Sequence, residues 1–364
     1  MVVPLGSSRP GGRLPQFMPA PAPDDAPGAA GTIRAVAAVR VSPEVAAAVA
    51  DGRPVVALES TVFSRLGLPG PAGAEALRRS LAAVRGAGAV AALTVVLDGE
   101  ARVGVDDGEL DRVLGAGRKV AERDLPVAVA RGWAAAATTV SASLALAAAA
   151  GVTVFATGGI GGVHRDWAAT GDESADLGAL ARHPVVTVCS GAKAFLDLPR
   201  TLERLESLGV PVVGVGVDAG EFPAFWSRRS GLRVPHPVAS PAEAAGVVRA
   251  ARALGQGGGV LVVTPVPEDS EVPAEELGPV IDAALAEAAG AGVGGGAITP
   301  FVLERIAAAT GGRTVAANVA LVEHNAAVAA GLAAALAGPQ PDGEPDSGSG
   351  GAGSRPDGRS QIRT

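Results

Sequence analysis

Six short valine-rich runs, at 55–58, 92–97, 152–156, 185–189, 210–215 and 260–263, alternate with longer Ala/Leu/Arg stretches, and this alternation restricts the fold more than any other feature. The runs are continuously apolar, as befits strands covered on both faces. The stretches at 72–85, 198–208 and 241–254 carry apolar residues at helical spacing. Such an order predicts an α/β fold: a layered α/β/α single domain with a mostly parallel central sheet and a helical C-terminal third (274–289, 300–310 and 315–337). Residues 1–40 and 338–364 are rich in Pro and Gly and read as disordered tails around a catalytic domain at 41–337. The first residues lack the pattern of a signal peptide.

The uncharged stretch at 133–163 approaches the length of a membrane span. Its Thr and Ser residues and its glycines favour a helix over 137–150, a turn at Gly151 and a buried strand, so no membrane segment is expected. A net charge of -7 argues against nucleic acid or an anionic membrane as partner, and an anionic substrate would need a local positive pocket. The lone Cys189 excludes an internal disulfide framework and suits a cytoplasmic location.

Of 30 basic side chains only Lys119 and Lys193 are lysines. Where arginine serves every ordinary need for charge, a retained lysine is a candidate for what guanidinium cannot do, namely lose a proton and attack carbon. The alternative is chance survival of two surface lysines. Lys193 follows a strand end and a Ser-Gly-Ala turn, and Glu59 ends the apolar run VVAL. Burial there would raise the carboxyl pKa, as suits a proton donor, although a strand-end Glu is more often an ion-pair partner.

Two segments match the dinucleotide spacing, Gly214–Ala219 and Gly290–Gly295, but neither lies between a strand and a helix, so a nicotinamide enzyme is not expected. The loop TGGIGGVHR (157–165) does leave a strand. Its glycines would let amides approach a phosphate, with His164 and Arg165 adding donors; the alternative is a mobile turn. Downstream, Asp172, Glu173 and Asp176 would suit a hard divalent cation, or Asp172 or Ser174 could cap a helix starting at Ala175.

The segments ALEST (57–61), RKVAERDLP (118–126), ATTV (137–140), FATGGIGGVHR (155–165), DESADL (172–177), VCSGAK (188–193), ITPFVL (298–303) and ANVALVEHNAAVAA (317–330) stand in the order found in the pseudouridine-5′-phosphate glycosidase family, which the chain resembles across its core. The resemblance implies reversible cleavage of pseudouridine 5′-phosphate to uracil and ribose 5-phosphate, with Mn²⁺ and a homotrimeric assembly. Carried over by position, Lys193 is the imine-forming nucleophile and Glu59 the proton donor. Lys119, Val140, His164, Ser174, Ala175, Asp176 and Asn318 touch substrate, and Asp172 lies at the metal. Asn325 has no firm role. The chain departs from the family pattern with Glu122 where a basic residue is usual, close to Lys119. Two alternatives share these features: a Schiff-base aldolase or lyase on another sugar phosphate, and a sugar-phosphate-binding protein without turnover, at which Glu122 hints.

Overall fold

The computed structural model describes residues 39–338, so the two predicted tails lie almost wholly outside the described residues. Eleven strands make one sheet: β1 (Arg40–Val41), β2 (Val55–Leu58), β3 (Val90–Leu97), β4 (Glu100–Val103), β5 (Lys119–Val120), β6 (Ala135–Thr138), β7 (Val154–Ala156), β8 (Val186–Cys189), β9 (Val212–Val215), β10 (His236–Val238) and β11 (Leu261–Val263). Their order is β1-β4-β3-β2-β7-β8-β11-β9-β10, with β6 on β3 and β5 on β6. All pairings are parallel except those of β3 with β4 and β6. All six valine-rich runs are strands, and the predicted layered α/β fold is the one formed.

The eight residues of β3 join two regimes. Val90 to Leu93 pair in parallel with β2, while Thr94 to Leu97 run past the end of β2 and take antiparallel partners on both sides. The helix expected over 137–150 is corrected by this arrangement. Ala137 and Thr138 belong to β6, and the helix is Val140–Ala149. Three alanines before a threonine carry little β signal of their own; the ladder to β3 decides it.

The long helix Arg313–Ala337 lies across β2, β7 and β8, flanked by Ala72–Gly86 and Pro241–Ala253. Helices Val140–Ala149 and Ala175–Arg182 pack together on the other face. Helix Arg313–Ala337 is long and apolar enough to cross a membrane. Its buried residues Ala317, Leu321, Asn325, Ala329 and Ala333 recur every four positions and face the sheet, which is the stripe of a core helix. The stretch 133–163 is β6, a helix and β7, as its glycines and hydroxyls indicated.

Candidate active site

Register builds the site. Leu58 of β2 pairs with Ala156 of β7, and Ala156 with Val188 of β8. The next residues, Glu59, Thr157 and Cys189, therefore stand side by side at the carboxyl edge of three parallel strands, where α/β sheets bind ligands. Neighbours in register point the same way, and the Thr157 hydroxyl donates a short hydrogen bond to Glu59 Oε1. Lys193 follows Cys189 after a tight turn at Gly191 (φ +82°), whose missing Cβ would collide with the Pro223 carbonyl. The Lys193 amide donates to Ile160 of the glycine loop at 3.1 Å.

Glu59 is buried, and burial pushes its carboxyl up to about 7. The positive charge of Lys193 is the main opposing influence, followed by the Thr157 hydroxyl; Asp176 adds to the rise and Lys119 opposes it. Those mutual effects place Glu59, Lys193, Asp176 and Lys119 in one cluster. Lys119 arrives by an indirect route. Antiparallel β6 returns to the sheet edge, where Thr138 is tied to Ser60, and β5 pairs in parallel with β6 so that Lys119 lies opposite Ala137. The Lys119 side chain keeps contact with solvent, yet the protein around its Nζ and the nearby Lys193 lower its pKa. Its Nζ donates to the Gly296 carbonyl at 3.3 Å. The Cys189 thiol is pushed up to about 12 by burial, which leaves it an inert core group.

Asp176 is a structural clasp as well as a charge. Its two oxygens accept from the Ser141 and Gly161 amides, each at 2.9 Å, joining the helix Val140–Ala149 to the glycine loop. Ser174 caps its own helix by accepting from the Asp176 amide, and Ala175 is the exposed first residue. Val140 turns its side chain into the core, so a substrate could meet only its backbone.

The glycine loop works differently from the sequence reading. None of its glycines has positive φ. Side chains would instead strike neighbours: Ser174 at Gly161, Thr201 at Gly162 and the Phe225 ring at Gly159. The amides of Thr157, Ile160, Gly161, Val163 and His164 are already bonded within the protein, which leaves those of Gly158, Gly159, Gly162 and Arg165 without an acceptor among the described residues. Arg165 points outward and pairs with Asp282 at 2.7 Å. His164 remains, 14% exposed, with Nε2 3.9 Å from Asp172 Oδ2. Glu122 is held by Arg182 at 2.6 Å and His183 at 3.0 Å, which outweigh its partial burial and lower its pKa. Its charge is thus matched locally, and the hint of an inactive protein loses its support.

For a metal, the donor set is narrow. Among the described residues no three His, Cys, Asp or Glu side chains gather to hold an ion. Glu173 is paired with Arg204 and Asp176 is engaged by amides, which leaves Asp172 with His164 nearby. One carboxylate suits a hard cation that keeps most of its water and shares oxygens with a phosphate, rather than a closed protein cage.

Three parts of the site escaped the sequence reading. Ser60, Thr94, Thr138 and Ser143 form a buried hydroxyl knot that locks β2, β3 and β6 together. Phe225 holds φ at +65° and lays its ring over Gly159, while Trp226 donates from Nε1 to Asn318 Oδ1 at 2.9 Å. Asn325 is fully buried and bonded on both sides of its amide. The signal for it was present: the chain has two asparagines, seven positions apart on one helix, and one lies within an apolar stripe.

This fold and edge cluster define an α/β enzyme class, and residues 44–335 match the model of the indigoidine synthase A like protein family; the chain belongs to that family. It is 50% identical to the pseudouridine-5′-phosphate glycosidase of Methylobacterium nodulans over 318 residues, covering 86% of this chain and 93% of that one. The enzyme of the same name from Deinococcus radiodurans is 50% identical over 82% of this chain and 94% of its own. Among solved structures, a prealnumycin C-glycosynthase in complex with ribulose 5-phosphate is 36% identical with a TM-score of 0.75, over 82% of this chain and 97% of that one. An indigoidine synthase A-like protein from Thermotoga maritima is 35% identical with a TM-score of 0.74, over 85% of this chain and all of its own.

Proposed function

We propose that this chain cleaves the C–C glycosidic bond of pseudouridine 5′-phosphate, giving uracil and ribose 5-phosphate, with Lys193 as nucleophile and Glu59 as proton donor. The observation that carries the reading is a buried carboxyl poised near pH 7 beside a lysine at the same strand edge. Ordinary glycosidases stabilise an oxocarbenium ion with two carboxylates and expel oxygen. Here the leaving group is carbon, and a nitrogen at C1′ supplies the electrons that two carboxylates cannot. Glu59 gives its proton to the ring oxygen as the ribose opens, the neutral Lys193 amine bonds to C1′ in place of that oxygen, and the proton this leaves on nitrogen passes back to Glu59. Glu59 delivers that proton to uracil C5, and the nitrogen lone pair forms C1′=N as the C1′–C5 bond breaks. Water hydrolyses the imine, freeing ribose 5-phosphate and the amine. Lys119, Asp176, Ser174, Ala175, the Val140 backbone and Asn318 bind the substrate in this reading.

The 36% identity to a C-glycosynthase favours a second direction, bond formation by the same steps reversed. Uracil release from pseudouridine 5′-phosphate, with borohydride trapping of Lys193, tests the main reading. Trapping with short aldol substrates and no uracil release would support an aldolase instead. A homotrimer in the cytoplasm completes the proposal, and light scattering checks the assembly.

Asp172 would hold a divalent cation, Mn²⁺ in this reading, whose role when bound is to neutralise phosphate charge. Exhaustive EDTA treatment is expected to abolish uracil release and Mn²⁺ to restore it; full activity after chelation would leave Asp172 as part of the loop only. His164 is assigned to the 5′-phosphate, since a chain of net charge -7 needs a local donor. His164→Ala should lower kcat/KM for the nucleotide roughly 10- to 100-fold, the worth of one charge-assisted hydrogen bond, while altering residual activity on free pseudouridine much less. An equal loss on both substrates would move His164 from phosphate binding to the chemistry or the fold.

A further inference from the structure

We infer that Asn325 is a positioning residue that sets the distance between Glu59 and Lys193 by tying together the two loops that carry their supports. The inference rests on the roles proposed above for those two side chains. The Asn325 amide is fully buried on the long helix Arg313–Ala337, directly beneath the carboxyl edge. Its Nδ2 donates to the carbonyls of Thr157 at 2.8 Å and Gly158 at 3.2 Å. Its Oδ1 accepts from the Ser190 hydroxyl at 3.1 Å.

Each contact leads to a reacting group. Thr157 is the residue whose hydroxyl reaches Glu59, and Ser190 opens the turn that ends in Lys193. β7 and β8 already pair up to Ala156 and Val188, but the ladder stops short of the two functional residues. Beyond it, parallel pairing survives only as a single bridge between Ile160 and Ala192. The backbone links Thr157 to Val188 and Ser190 to Gly158, and Asn325 clamps the same turn from below. Leu321 and Val322, one turn earlier, pack close to Gly158.

The chemistry of the site selects asparagine. Two carbonyls require two donors and one hydroxyl requires an acceptor, all within one short planar group. Aspartate has no donors, histidine has one donor when neutral, and glutamine is a methylene too long for a packed interior. Burial makes the contacts consequential, because removing the amide strands the Thr157 carbonyl and the Ser190 hydroxyl away from water and leaves the Gly158 carbonyl only the Ser190 amide. The loops would then relax, and a shift on the order of 1 Å between acid and nucleophile is enough to slow the chemistry about 100-fold.

Two measurements separate positioning from mere stability in Asn325→Ala, Thr157→Val and Ser190→Ala. The first is the pH dependence of kcat and KM for uracil release. The second is ¹³C NMR titration of the Glu59 carboxyl in substrate-free enzyme, assigned with Glu59→Gln. Lys193, Lys119 and Asp176 face that carboxyl and remain unchanged in all three variants. Thr157→Val removes a hydrogen bond that favours the charged carboxylate, so the titration should move up by about half a pH unit or more. Asn325→Ala should move it in the same direction, and the double variant no further, with kcat about 10- to 100-fold lower and KM nearly unchanged. Ser190→Ala, which loosens the Lys193 side, should lower kcat by about tenfold.

A folded Asn325→Ala with normal kcat, or with an unmoved Glu59 titration, would overturn the inference. Should Asn325→Ala fail to fold, wild-type kcat in Ser190→Ala would overturn it equally. A wild-type enzyme that releases no uracil refutes the proposed function instead, and the NMR titration still decides whether Asn325 positions Glu59.

Discussion

Lys193→Ala and Lys193→Arg are each expected to lower kcat for uracil release by more than roughly 10³-fold, with the arginine variant no better than alanine. The reason lies in the proton. A guanidinium stays charged at any pH the fold tolerates, so it has no lone pair to place on C1′. Arginine would preserve the positive charge beside Glu59 and hence its electrostatic support, which makes it the sharper test. Borohydride should trap labelled sugar phosphate on the wild type and on neither variant. An arginine variant with near-normal turnover would remove the imine from the mechanism.

The second large effect belongs to Glu59. With its carboxyl near 7, the wild-type step that uses its proton should weaken as pH rises through that value. Glu59→Gln should cost about 10² to 10⁴ in kcat and remove that limb from the pH profile. Stability should move the other way. Burial favours the protonated form, so between 4.5 and about 7 the folded chain holds a proton that the unfolded chain has lost. Folding is therefore unpenalised below that window, loses stability as pH climbs through it, and carries the full cost above it. Glutamine has no proton to lose. Glu59→Gln should thus be more stable than wild type at about pH 8, by up to about 3 kcal/mol, and equal to it below about pH 4.5. Thermal melts at the two pH values check this. Equal melting temperatures at high pH would mean that water reaches Glu59 and that its carboxyl is not held protonated.

Lysine scarcity singled out Lys119 and Lys193 as candidates before any geometry was known, because substituting arginine would have been easy wherever charge alone mattered. The apolar run VVAL followed by Glu59 announced a buried carboxyl for a related reason: a strand covered on both faces has only its end to offer solvent. The capping of the helix Ala175–Arg182 by Ser174 was equally legible, since it depends on three consecutive residues. What misled was the glycine loop. Its composition suggested a ring of free amides, whereas its glycines make room for Ser174, Thr201 and Phe225, residues from three distant segments.

Local pattern alone settled six of the eleven strands and the long helices and marked Lys193 and Glu59 as candidates, because these follow from burial period and from the properties of single side chains. The tertiary structure alone decided which groups meet. β6 carries four residues of Ala and Thr with little strand signal, yet its antiparallel pairing with β3 turns Lys119 toward the edge where β2 and β8 present Glu59 and Lys193. Asn325, to which the sequence assigned no firm role, becomes the link between two loops only when that helix lies under the sheet. Periodicity is encoded within a few residues and survives in the sequence, whereas contacts between residues 168 positions apart depend on how every intervening element packs.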